Sequence, residues 1–107
     1  MKLEVKLHQQ QQLQADYERI EAHLRKQTKE LEEVSAQLAA NDRMLVAGLQ
    51  ECWQGPAAEQ FIDDQRRATR QFLQQADECS LALEQERRAK QQDFEAAWEA
   101  ISHQEVD

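Results

Sequence analysis

The sequence predicts an all-α protein: an antiparallel hairpin of two long helices, with a central bend, that pairs into a four-helix bundle. Three observations predict it. Only two glycines and one proline occur in 107 residues, and one of each stands side by side at Gly55-Pro56 near the middle. Before that point an apolar residue recurs every seventh position, and after it large apolar residues recur every eleventh. Composition agrees, since 32% of the residues are charged and Gln, Ala, Glu and Leu dominate the rest, the mixture of solvated helices with one apolar stripe.

Helix one is expected over about residues 4–52. Its heptad runs through Tyr17, Leu24, Leu31, Leu38, Leu45 and Cys52, with Leu13, Ile20 and Val34 on the interleaved positions. Gln27, Asn41 and Gly48 belong to the same interleaved set and interrupt the stripe. No proline or turn cluster breaks the segment.

The bend is expected over residues 53–56. Gly55 is suited to the left-handed conformation that ends a helix, and Pro56 to the first position of the next. Glu59 then complements the new N-terminus. Helix two follows over about 57–102, carrying Phe61, Phe72, Leu83 and Phe94, joined by Ala68, Ala76, Cys79, Ala97 and Ile101. A connection this short makes the helices antiparallel. Mirror pairing about residue 55 sets Phe72 opposite Leu38, Cys79 opposite Leu31 and Phe94 near Tyr17. Residues 84–93 offer no Leu, Ile, Val or Phe to that pairing, so the open end is expected to be the softer one.

Beside the seam, Val46 and Trp53 form a second stripe on helix one, and Ile62 and Leu73 form one on helix two. Two helices cannot bury both faces alone. Val46, Ile62 and Leu73 are therefore the expected pairing face for a second hairpin, in a homodimer or a heterodimer.

The function classes narrow on charge and composition. A net charge of −8 argues against general binding to nucleic acid or anionic lipid. The first residues lack the apolar core of an export signal, and nowhere do eighteen apolar residues run together, so neither a cleavable leader nor membrane insertion is expected. His8, His23 and His103 are the only imidazoles, with no nucleophile and base in a recognisable pattern, so neither an enzyme nor a cofactor or metal protein is expected. Cys52 and Cys79 would lie about 30 Å apart along the hairpin at ~1.5 Å per helical residue, and they read as small apolar core residues rather than a disulfide.

Around the bend the residues follow a Leu-x-x-x-Trp-x-Gly-x-Ala-x-x-x-Phe pattern through Leu49, Trp53, Gly55, Ala57 and Phe61. Trp53 is suited to cover the end of the hairpin, Ala57 and Ala58 to let the helices approach, and Leu49 and Phe61 to close the junction. In this motif, and in its length and central bend, the chain resembles the WXG (ESX, or ESAT-like) family of small type VII secretion proteins. The specific likeness is confined to residues 49–61. The resemblance implies a protein that folds in the cytoplasm, pairs with another helical hairpin into a four-helix bundle, and is exported folded, without a signal peptide, by a membrane secretion ATPase. It implies that Trp53 and Gly55 contact that apparatus, with Leu49, Ala57 and Phe61 in support.

One feature departs from the family. A Tyr-x-x-x-Asp/Glu export signal commonly follows its second helix, whereas here Phe94 is followed four residues later by Trp98, and Trp98 by Ser102. Tyr17 and Glu21 have the right spacing but fall within helix one. Export then rests on a partner's signal, or the chain acts as a chaperone or adaptor for a larger effector with a helical domain and itself stays cytoplasmic. The competing readings are a coiled-coil stalk or export chaperone of a flagellar or type III secretion system, and an intracellular helical scaffold. Neither calls for a Trp-x-Gly bend.

Overall fold

The computed structural model describes residues 2–106 and is an all-α, antiparallel two-helix hairpin: α1 spans Leu3–Cys52 and α2 spans Pro56–Ser102. No strand occurs among the described residues. The chain forms two compact units. A bend unit comprises residues 28–81, and an open-end unit combines the residues up to Gln27 with those from Ala82 onward.

The bend follows from local chemistry. The Trp53 amide donates to the Leu49 carbonyl at 2.8 Å, completing α1, and Gly55 then takes a φ of +110°. Pro56 begins α2, where its missing N–H leaves no helical bond unmade. The Glu59 amide donates to the Gly55 carbonyl at 3.0 Å, so Gly55 ends one helix and caps the other.

Within the bend unit the inward positions are not the expected heptad. On α1 the less exposed residues step through Leu31, Ser35, Leu38, Asp42, Val46 and Leu49, and on α2 through Ala58, Ile62, Gln65, Thr69, Leu73 and Ala76. Both series alternate steps of three and four except at Asp42 and Thr69, each of which sits between two successive four-residue steps. There the Thr69 hydroxyl donates to Asp42 Oδ1 at 2.9 Å. That shift corrects several expectations. Leu45 and Cys52 leave the seam and are exposed, and Val46 enters it, 4% exposed. Ile62 is buried at 6% and Leu73 is half-buried, so Val46, Ile62 and Leu73 line the hairpin's interior instead of an outer pairing face. Phe72 does not face Leu38, because Leu73 takes the inward position, and Cys79 is exposed, not core.

The open-end unit is held by polar contacts and one aromatic stack. Tyr17 and Phe94 stack with ring centroids 4.4 Å apart, as mirror pairing predicts, and Trp98 lies 5.8 Å from Phe94. Leu24 is buried, whereas Ile20 is exposed. α2 has no basic residue in its last turn, and Lys6 of α1 supplies that charge: its Nζ donates to the Ser102 carbonyl at 2.9 Å and the Gln104 carbonyl at 3.3 Å.

The core is thin. Among the described residues the buried ones are Leu24, Val46, Ala58, Ile62 and Ala76, with Thr69. The chain exposes 8311 Å², against about 6,200 Å² for a folded monomer of its 12.5 kDa mass. The lone hairpin thus exposes roughly 2,000 Å² more than that scaling gives for a globular monomer.

The two glycines separate backbone strain from steric space. A Cβ would meet nothing within 4 Å at either position, but Gly55 has positive φ and Gly48 lies within α1. Gly55→Ala is expected to destabilise by about 1–3 kcal/mol and Gly48→Ala to stabilise by about 0.5–1 kcal/mol. Urea unfolding followed by circular dichroism measures both, and equal signs would contradict the assignment.

Candidate protein interaction site

At the tip of the bend unit the motif residues come together in part. Trp53 is 40% exposed, and its ring lies 5.8 Å from that of Phe61 at 52°, while Phe61 is itself 46% exposed. Leu49 is half-buried beneath them. Ala58 carries the close approach of the helices, buried at the junction, whereas Ala57 points to solvent. A hollow of ≈ 340 Å³ lies beside Trp53, walled by Gln50, Gly55, Ala58, Glu59 and Ile62. Trp53 therefore does not plug the turn from within. It presents an indole edge and face at the surface, the form in which an aromatic anchor engages another protein.

Helical geometry extends this apolar character along one side of the unit. At about 100° per residue, Phe61, Ala68, Phe72 and Cys79 fall on one flank of the line through Ile62, Thr69 and Ala76, while Arg66 and Arg70 fall on the other. On α1 the same geometry groups Val34, Leu45 and Cys52 on one flank and Arg43 on the other. Arg43, Arg66 and Arg70 line a single hollow, so the two basic flanks share one side of the hairpin and the two apolar flanks share the opposite side. Val34, Leu45, Phe61 and Phe72 are all exposed there. These residues replace Val46, Ile62 and Leu73 as the candidate pairing face. The heptad reading missed them because it placed Leu45 and Val34 in the seam.

The basic side was also not anticipated. Asp63 and Arg67, four residues apart on α2, form no ion pair, whereas the equally spaced Glu21 with Arg25 (2.9 Å) and Glu84 with Arg88 (3.3 Å) do. The signal available in the sequence was the cluster Arg66, Arg67 and Arg70 in a chain otherwise dominated by acid.

In the open-end unit the carboxylate of Glu21, 15% exposed, gathers contacts from three side chains. Tyr17 Oη donates to its Oε2 at 2.6 Å, Oε1 accepts from Arg87 Nη2 at 3.0 Å and Arg87 Nε at 3.2 Å, and Arg25 Nη2 forms an ion pair with Oε1 at 2.9 Å. Tyr17 and Glu21 thus spend their side chains on the hairpin itself. The Tyr17 hydrogen bond, followed by Arg87 and Arg25, lowers the Glu21 pKa below the usual carboxylate range, against the opposing effect of burial. The same hydrogen bond, with burial, raises the Tyr17 phenol.

No group of three or more His, Cys, Asp or Glu residues positioned to hold a metal occurs among the described residues, and no described helix is long and apolar enough to cross a membrane. Cys52 and Cys79 are free thiols, and the Cys52 Sγ lies 3.2 Å from the Gly48 carbonyl oxygen. Compared with known protein families, with curated proteins and with solved structures, the chain matches none.

A lowered Glu21 pKa contributes stability that is complete above the unfolded carboxylate value and lost as pH falls through the folded one. Glu21→Gln is therefore expected to melt below the unaltered protein at neutral pH, with the difference closing as pH drops below about 4.5. Thermal melts across that range check it. A difference independent of pH would show that the Glu21 charge contributes nothing.

Proposed function

We propose that this chain is a non-enzymatic type VII secretion protein, either a substrate or the chaperone-adaptor partner of one, working through helix-bundle dimerisation. The observation that carries the reading is the bend: Leu49, Trp53, Gly55 and Phe61 occupy the reversal of a two-helix hairpin, with Trp53 and Phe61 exposed together at its tip. A Trp-x-Gly reversal is what the resemblance turns on, and a surface indole is suited to contact the secretion ATPase.

Pairing with a second hairpin, of this chain or another, is supported by the excess surface of the lone hairpin and by the apolar side of its bend unit. Burying Val34, Leu45, Phe61 and Phe72 against another hairpin would contribute about 1.5–3 kcal/mol per fully covered side chain. In this reading the protein folds in the cytoplasm. It leaves by a route that needs no signal peptide, or remains inside as an adaptor for a larger effector with a helical domain. The spent contacts of Tyr17 and Glu21 favour a partner as the source of any Tyr-x-x-x-Asp/Glu signal.

Light scattering at micromolar concentration is expected to show a dimer, or a monomer that becomes a heterodimer with its cognate hairpin. Leu45→Arg with Phe72→Glu should abolish that pairing while leaving the Val46 and Ile62 interior intact. A cooperatively melting monomer indifferent to partner would refute pairing. In a host carrying the type VII machine, Trp53→Ala should reduce export of the pair at least about tenfold, a loss of ~1.4 kcal/mol or more in recognition, with unchanged helicity by circular dichroism. Undiminished export would remove the bend from the mechanism.

A further inference from the structure

The chain has eight arginines, and they divide cleanly. In the open-end unit Arg19 pairs with Asp16 at 3.2 Å, Arg25 with Glu21, Arg87 with Glu21 and Glu84, and Arg88 with Glu84. In the bend unit Arg43, Arg66, Arg67 and Arg70 form no ion pair among the described residues. All four line one hollow of ≈ 530 Å³. Its remaining walls are Ala39 and Leu73, the hydrogen-bonded Asp42 and Thr69, and Asp63.

Four guanidinium groups that form no ion pair share one hollow with only two carboxylates, Asp42 and Asp63, an excess of positive charge that is unfavourable for the isolated hairpin. Arg66 and Arg70 stand four residues apart on α2, where like charges repel. Carboxylates are abundant in this chain, yet the one nearest the hollow's base, Asp42, is engaged by Thr69. An apolar patch, Ala39 and Leu73, lines the end of the hollow beyond Arg70.

The form of the hollow decides the class of ligand. Phosphate sites are commonly built on free backbone amides at helix N-termini or in loop nests. Every residue lining this hollow lies inside α1 or α2, where backbone amides are spent on helical bonds, so only side chains can bind. Asp63 on the rim repels a multiply charged phosphate more than a single carboxylate. Guanidinium forks match carboxylates in pairs, and Arg66 and Arg70 are spaced about 6 Å apart along the helix axis. About one turn beyond Arg70, Leu73 and the facing Ala39 suit an aliphatic side chain.

The geometry points to a binding site for an acidic amphipathic helix of a partner protein, whose carboxylates pair with Arg43, Arg66 and Arg70 while an aliphatic residue one turn further along seats on Ala39 and Leu73. This surface lies opposite the apolar side of the same unit, and the assignment does not rest on the secretion reading.

The probe is an alanine-based helical peptide with two Glu one turn apart and a leucine one turn beyond them, titrated calorimetrically into the full chain at low salt. One-to-one binding is expected, at least about tenfold weaker for the peptide with Gln in place of Glu and for Arg66→Gln with Arg70→Gln. That double variant should melt no lower than the unaltered protein, since it loses only repulsion. Arg19→Gln with Arg88→Gln removes the same charge from the open-end unit and should leave binding within about twofold. Absence of binding, equal binding of the Gln peptide, or equal loss in the two double variants would each overturn the site. Binding of inorganic tripolyphosphate with no peptide binding would overturn the acidic-helix assignment.

Discussion

The hydrogen bond between Thr69 and Asp42 marks the constraint on which the bend unit is arranged. A buried threonine and a half-buried aspartate occupy a seam otherwise lined largely by apolar and small residues, and each is satisfied by the other. Because both helices make two successive four-residue steps around this pair, the inward face rotates there. Val46 and Ile62 are carried into the core, while Leu45, Cys52 and Phe72 are carried out. A polar pair at one level of a hairpin also opposes sliding of one helix along the other, since any slip would separate the donor from its acceptor.

From this step the two units differ in what they leave unsatisfied. The open-end unit resolves its charges internally: Glu21 collects Tyr17, Arg25 and Arg87, and Lys6 closes the end of α2. It needs little apolar surface for this. The bend unit leaves an exposed apolar side, a surface Trp53 beside Phe61, and four arginines without counterions. Exposed apolar residues occur in both units, Leu3, Val5, Leu7 and Ile20 in the open-end unit among them, but only the bend unit joins such surface to arginines that form no ion pair among the described residues. Surface that costs the isolated protein stability in this way is what recognition sites present.

The fold was legible in the sequence because its determinants are local or periodic. Gly55-Pro56 is a chemical stop and start, the Tyr17 to Leu38 heptad defines one face, and mirror pairing placed Phe94 on Tyr17. The pairing face was not legible, because apolar periodicity is blind to a polar residue that belongs in a seam. Extending the heptad from Leu38 through Leu45 to Cys52 passes over Asp42, and every position beyond it is then assigned to the wrong side. Thr69 is equally silent. Nor could the arginine hollow be read from spacing alone, because Arg43 joins Arg66 and Arg70 only once the helices are antiparallel and in register.

The two sides of the bend unit differ in how their forces depend on distance and salt, and this bears on how an assembly would form. Apolar contact at Val34, Leu45, Phe61 and Phe72 acts only when surfaces meet and is little weakened by salt. Attraction at the arginine hollow reaches about a Debye length, roughly 8 Å at physiological ionic strength, and is screened beyond it. On the readings proposed above, a hairpin partner is held by the first and an acidic helix is captured and oriented by the second. Because they lie on opposite sides of the seam, occupation of one leaves the other open. A single unit of this size could then join two helical partners at once, the geometry an adaptor requires and a simple dimerising substrate does not.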